Sequence, residues 1–336
     1  MKIFISVAAY QDPMLLETIG SAYVNAKFPQ NLIFGVLDQS DEPLEINKIK
    51  FRDQIKFEHI IPLLAKGPCW ARRRIQNFIT DEKYYLQIDS HTLFQKNWDE
   101  LLINYHNWCE KSLGKSFVIS GYPRSFEILK ILHAKENSYK MKIGHKDTLA
   151  ITFREERIFE DGHYSMQKNV KAGSYSPVKG LLVGGGFIFG RSEFVSQVPY
   201  DEMLYFHGEE LNIALRLFTN GWTVVHIPRV PLFHQYTDVK TLTRKMHWNP
   251  EDELNRKKKW HELDKESKYR LSQIIEGNIQ GEYGLGNIRT LEEFSQKCGL
   301  DILNKKVIDH DCAINGYWLE EINNIIDFKE IEFKNK

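Results

Sequence analysis

Tyr84-Tyr85-Leu86-Gln87-Ile88-Asp89-Ser90-His91-Thr92-Leu93-Phe94 is a near-continuous apolar run that stops in a carboxylate and an imidazole two residues apart. A segment apolar on both faces suits a strand buried between two layers, which is the setting of a central strand in a parallel sheet. Ligands of open α/β sheets bind just beyond the carboxyl ends of such strands. In extended backbone, side chains at i and i+2 point the same way, so Asp89 and His91 could touch one divalent cation.

Other runs repeat the pattern. Residues 2–8 read as a first strand, and Asp12-Pro13 opens a helix that extends to about Asn25. Leu32-Ile33-Phe34-Gly35-Val36-Leu37 gives a second strand ending at Asp38, and residues 55–61 give a third. Gly67-Pro68-Cys69-Trp70-Ala71-Arg72-Arg73-Arg74 leads into a basic helix, followed by the strand that carries Asp89. Later strands are expected at 117–122, 181–190 (broken by Gly184-Gly185-Gly186) and 222–228, with helices at 98–111 and 209–218. Strands alternating with helices predict an α/β fold, a Rossmann-like doubly wound and mostly parallel sheet. Residues 1–244 read as the main domain, with 125–178 as a polar insertion over the sheet. From about 245 the Lys, Glu and Trp content rises, and 245–336 reads as a helical appendage packed on the core.

Lys+Arg and Asp+Glu both number 45 in 336 residues, so no global charge draws the chain to nucleic acid or an anionic membrane. Cys69, Cys109, Cys298 and Cys312 have no CxxC spacing, which points to free thiols in a reducing compartment. No run reaches the ~18 apolar residues of a spanning helix, and the first ten residues read as a strand, so a cytoplasmic protein is expected. Self-association into a homo-oligomer stays open.

Several residues could carry chemistry. Asp89 with His91 suits a first-row ion such as Mn²⁺ more than Ca²⁺, although an Asp-Ser pair also opens loops and caps helices. His234, after the apolar run Val230-Pro231-Leu232-Phe233, is a third candidate ligand or else a core histidine. Gly184-Gly185-Gly186 marks a close backbone approach or a bulge, and it is no phosphate loop because neither Gly-Lys-Ser/Thr nor GxGxxG is present. Glu209 and Glu210 open a predicted helix, where the dipole alone favours acids. Arg72-Arg73-Arg74 point three ways on a helix, so one of them at most, Arg72, is expected in a site. Arg256-Lys257-Lys258-Lys259 reads as a solvated helix face rather than a nucleic-acid patch.

In order and spacing, Ile5-Ser6-Val7-Ala8-Ala9-Tyr10-Gln11-Asp12-Pro13, Gly67-Pro68-Cys69-Trp70-Ala71-Arg72, Asp89-Ser90-His91, Gly184-Gly185-Gly186-Phe187-Ile188-Phe189, Phe206-His207-Gly208-Glu209-Glu210, Phe233-His234-Gln235-Tyr236 and Tyr283-Gly284-Leu285-Gly286-Asn287-Ile288-Arg289-Thr290 resemble the GT-A fold glycosyltransferases that attach N-acetylglucosamine to hydroxyproline. The chain is more distantly similar to the mucin-type polypeptide N-acetylgalactosaminyltransferases. The resemblance implies a UDP-sugar donor and a divalent cation, Mn²⁺ or Mg²⁺, held by Asp89, His91 and His234. It further implies Ala8 and Tyr10 near the uridine, Asp38 and Arg72 (and Asp89) along the nucleotide, and Gly185, Gly186, Glu209 and Glu210 facing sugar and acceptor. Gln11, where Arg is expected, and His207, where a different aromatic is expected, depart from the pattern. The implied activity is retaining, metal-dependent transfer from UDP-GlcNAc to a hydroxyl of a protein (hydroxyproline, Ser or Thr) or a glycan. The alternatives are a non-catalytic nucleotide-sugar-binding scaffold, a metal-dependent hydrolase, or use of UDP-GalNAc or UDP-glucose.

Overall fold

The computed structural model describes residues 1–129, 138–141, 147–156, 158–159, 166–236 and 244–322. Its first half is built from β1 (Ile3–Tyr10), α1 (Leu15–Asn25), β2 (Leu32–Gln39), β3 (Ile55–His59), α2 (Pro68–Gln76) and β4 (Tyr84–Asp89). These strands lie in the order β3-β2-β1-β4, all parallel. The chain therefore leaves β1 toward one side for β2 and returns to its other side for β4. The reversal opens a crevice at the carboxyl ends of β1 and β4, where open α/β sheets take their ligands.

The sheet continues past β4 through Phe187–Arg191, Phe117–Ser120, Thr223–His226, Val178–Gly180 and Glu320–Glu321, reaching nine strands. Phe187–Arg191 and Val178–Gly180 run against the others. The architecture is the expected mixed α/β, parallel-rich sheet with helices on both faces. On one face pack α1, through Leu15 and Ile19, and α3 (Trp98–Leu113), through Trp98, Leu101 and Leu102. On the other pack α2, through Cys69, Trp70 and Ile75, and the helix Glu209–Thr219, through Leu211, Leu215 and Phe218. Each fully buried Leu, Ile or Phe contributes roughly 1.5–3 kcal/mol over leaving it exposed.

β4 shows how the sheet aims the site. Tyr84, Leu86 and Ile88 enter the core under α1 and α3, whereas Tyr85 enters the core under α2. Period-two alternation puts Gln87 and Asp89 on the same side as Tyr85, toward α2 and the helix Glu209–Thr219.

Several expectations change in detail. The strand foreseen at 181–190 is only Phe187–Arg191, and the three glycines form a turn ahead of it, closed by the Phe187 N–H donating to the Gly184 carbonyl at 3.1 Å. Within 125–178 the regular elements among the described residues are strands: Arg124–Leu129 pairs with Ser138–Met141, and Leu149–Phe153 with Gln167–Lys171. The rest of that segment (130–137, 142–146, 157, 160–165) lies outside the described residues, as do 237–243 and 323–336 of the two expected units. The C-terminal part is helical at Pro250–Asn255, Trp260–Ile275, Leu291–Cys298 and His310–Asn315, yet Glu320–Glu321 adds a strand to the central sheet against Val178–Gly180.

The basic run 256–259 is not a solvated helix face. Arg256 follows the short helix Pro250–Asn255, is 4% exposed, and donates to the Tyr10 hydroxyl at 2.5 Å and to Glu253 at 3.1 Å. Lys259 precedes the next helix. All four cysteines are free thiols.

Candidate functional site

Two glycines place the helices that face β4. Gly67 (φ 101°) precedes Pro68, and a methyl there would lie 2.7 Å from the Tyr205 carbonyl oxygen. Gly208 (φ 88°) precedes Glu209, and a methyl there would lie 2.5 Å from Leu271. Both backbones are left-handed and crowded, a combination only glycine meets without strain. The result points Arg72 and Glu209 at the end of β4.

The three arginines diverge as helical geometry requires. Arg74 pairs with Glu58 and Arg73 with Glu282, while Arg72 turns inward, 5% exposed. Arg72 Nη2 donates to Asp89 Oδ1 at 2.8 Å, and Nη1 pairs with Glu209 Oε1. As folded, this guanidinium serves two carboxylates at once. Tyr200 donates to Glu209 Oε1 at 2.9 Å, and Gln87 donates to the Gly185 carbonyl at 2.6 Å.

A short strand, β5 (Thr92–Phe94), leaves the end of β4 and pairs antiparallel with Leu232–His234. That pairing delivers the third candidate ligand: Thr92 lies opposite His234, and the Gln235 N–H donates to the His91 carbonyl at 3.0 Å. Asp89, His91 and His234 each offer one ligand atom, all within 4.8 Å of one another. His234 Nε2 lies 3.0 Å and His91 Nε2 4.0 Å from Asp89 Oδ2. Two donors each ~2.1 Å from an octahedral ion and at right angles lie about 3 Å apart, a spacing the Asp89–His234 pair matches at 3.0 Å, while His91 stands wider at 4.0 Å from Asp89. The donor set, one carboxylate oxygen and two imidazoles, suits a first-row ion. Burial opposes ionisation of Asp89, but the His234 hydrogen bond and Arg72 hold its carboxyl well below the usual carboxylate range. Burial also lowers His91 despite its bond to Asp12, which favours the neutral imidazole a metal requires.

Gly185 and Gly186 are where two of these carboxylates meet the backbone. A methyl on Gly186 would lie 2.7 Å from Asp89 Oδ2, and one on Gly185 2.7 Å from Glu209 Oε1. Consecutive helical residues point about 100° apart, so Glu210 departs from Glu209 and accepts the Gly185 N–H at 2.7 Å and the Tyr122 hydroxyl at 2.6 Å. A cleft of about 300 Å³ opens over this floor, bounded by Arg72, Asp89, Tyr122, Gly186, Glu210 and Phe206. That size lies at the lower end of small-molecule sites.

Burial, with Glu209 beside it, pushes the Glu210 carboxyl up from 4.5 to about 7, against the bonds from Tyr122 and Gly185. Between those values the unfolded chain has released a proton that the folded site still holds, so stability falls as pH rises through that window. Glu210→Gln is expected to remove this slope: its melting temperature relative to the native protein should be level near pH 4 and higher above about pH 7.5. Parallel curves across that range would refute the assignment.

The remaining expected nucleotide residues lie near the crevice with partners of their own. Ala8 is level with Asp89 across β1 and β4. Tyr10 donates to Asp252 at 2.7 Å, and Gln11 donates to the same oxygen at 2.9 Å with φ at 45°. Asp38, 3% exposed, accepts the Leu44 N–H at 2.8 Å. His207 Nδ1 lies 3.0 Å from Asp264. Sequence reasoning passed over Asp12, Gln87, Tyr122 and Tyr200 as site residues. Gln87 left a signal, a polar side chain inside an otherwise apolar run.

A model of the glycosyltransferase (GlcNAc) family matches residues 41–304. A search of curated proteins finds no match. Among solved structures the chain is similar to GalNAc-T7 with UDP, GalNAc and Mn²⁺ (TM-score 0.56, 13% identity), covering 95% of this chain and 56% of that one. The chain thus spans a little over half the length of that protein, and at this identity the likeness speaks to the fold. Weaker likenesses, which carry no argument, are to S. aureus TarS 1-349 in complex with UDP (TM-score 0.43, 13% identity, 91% of this chain and 80% of that one) and to the mannosyltransferase PcManGT from Pyrobaculum calidifontis in complex with GDP-Man and Mn²⁺ (TM-score 0.45, 11% identity, 70% and 57%). Because the matched segment takes in Arg72, the Asp89-His91-His234 cluster and the acid-lined cleft together, on a sheet of GT-A type, the chain belongs to the glycosyltransferase (GlcNAc) family.

Proposed function

We propose that this protein transfers N-acetylglucosamine from UDP-GlcNAc, with retention of configuration, to a hydroxyl group on a protein or glycan. The observation that carries the reading is the convergence of Asp89, His91 and His234 at the mouth of the β1/β4 crevice, beside Arg72 and a cleft floored by carboxylates. Asp89, His91 and His234 would hold Mn²⁺ or Mg²⁺, which as a Lewis acid offsets the charge that builds on a departing diphosphate. Arg72 locks the Asp89 carboxylate through Oδ1 and leaves Oδ2 for the imidazoles. Glu209 is held by Arg72 and Tyr200, in a position to orient the sugar. Glu210, with its raised pKa, can exchange a proton or hydrogen bond with a hydroxyl in the cleft near neutral pH. The donor's nucleotide would lie along β1 and β2, by Ala8, Tyr10 and Asp38. No helix among the described residues is long and apolar enough to cross a membrane.

The test is a donor panel with the full chain and Mn²⁺, with UDP release measured and products identified by mass spectrometry. UDP-GlcNAc should turn over at least tenfold faster than UDP-GalNAc or UDP-glucose, and the transferred sugar should keep the α configuration by NMR. Preference for another donor removes the GlcNAc assignment. Thermal stabilisation by UDP without turnover of any donor would transfer the case to a binding scaffold.

A further inference from the structure

Asp12 lies in the loop between β1 and α1, with its side chain 2% exposed. Its Oδ2 is 2.7 Å from His91 Nδ1 and accepts the Ser90 hydroxyl at 2.7 Å, while its Oδ1 accepts the Met14 N–H at 2.9 Å. Both other partners are donors, as suits an ionised carboxylate, which can only accept. His91 must then present Nδ1–H to Asp12, which leaves the lone pair on Nε2, the nitrogen that faces Asp89 Oδ2. Ser90 is held in turn, its carbonyl accepting the Thr18 hydroxyl at 2.6 Å.

We infer that Asp12 is a positioning residue for the cation site: it sets the His91 tautomer and so makes Nε2 a ligand. The inference rests on the cation site proposed above. A carboxylate behind a ligating imidazole fixes ring orientation and raises ligand basicity, and losing such a partner costs about 10–100-fold in metal affinity. Asp12→Asn separates this role from mere packing. The amide keeps an oxygen for the Met14 N–H and turns its NH₂ toward His91, which must then accept at Nδ1 and carry its proton on Nε2. The variant keeps the shape of the site and inverts the tautomer.

The experiment uses the full chain at about pH 8. Long-range ¹⁵N NMR of the histidines in EDTA, with the His91 signals assigned by their loss in His91→Ala, should show native Nδ1 protonated and Nε2 bare, and the reverse in Asp12→Asn. Mn²⁺ titration followed by EPR should show ~10–100-fold weaker binding in Asp12→Asn. A native His91 protonated on Nε2 overturns the inference without any variant, so a variant that fails to fold does not rescue it. Asp12→Asn binding Mn²⁺ within twofold of native overturns it while leaving the cation site standing, provided Asp89→Ala loses the ion. If Asp89→Ala binds as well as the native protein, or the native protein binds no Mn²⁺, the cation site falls and this inference with it.

Discussion

Asp89→Ala is expected to cut Mn²⁺-dependent turnover of UDP-GlcNAc by about a thousandfold, roughly 4 kcal/mol of transition-state stabilisation. The size follows from the two oxygens doing different things. Oδ2 lies 3.0 Å from His234 Nε2 and 4.0 Å from His91 Nε2, and Oδ1 takes Arg72 at 2.8 Å, so one substitution removes a proposed ion ligand and an anchor of the nearest cation. The two imidazole rings, 4.6 Å apart between centroids, would be left as the only ligands of the cluster. With 28% of its side chain exposed, Asp89 is less enclosed than its partners, and the variant should fold. UDP release with and without Mn²⁺, for native and variant, is the measurement. Turnover within tenfold of native, or native turnover indifferent to the ion, would sink the metal-dependent mechanism.

The second large effect should fall on stability. Arg72→Met leaves Glu209, 7% exposed in its side chain, without its cationic partner and removes the cation nearest Asp89. Breaking a buried pair from one side costs about 3–5 kcal/mol, because the remaining charge is left without compensation. Urea unfolding without added metal should show a loss of that order. The double variant Arg72→Met/Glu209→Gln should recover part of it, since the amide is a buried polar group and no longer a buried charge. A single variant within about 0.5 kcal/mol of native would mean that the carboxylates are compensated by other groups or by water.

The two halves of the site differed in how far local sequence could reveal them. Asp89 and His91 were readable as a pair because i and i+2 of an extended chain share a side. The near-continuous apolar runs of β1, β2 and β4 were readable because a doubly covered sheet needs them. The segment 125–178 was not readable as β: Gln167–Lys171 is largely half-exposed, and its residues QKNVK give no period to follow. Arg256 was misplaced for a related reason, since a run of like charges usually faces solvent and nothing local announces that the first member turns in to meet Tyr10. The glycines at 185 and 186 were readable only as a close approach or a bulge, because the groups approached, Asp89 and Glu209, are not their neighbours in the chain.

Local patterning therefore decided the layered α/β architecture and the chemistry at the end of β4, because helix and strand periods and the identity of a strand-end residue are short-range properties. Long-range pairing decided the rest. His234 reaches Asp89 because Leu232–His234 pairs with β5. Arg72 serves two carboxylates because α2, packed against β1 and β2, brings it between Asp89 and Glu209. Asp12 finds His91 because the loop after β1 closes over the strand beside it. Each contact joins residues that no periodicity relates, so it exists only once the buried sheet has brought its strand ends together.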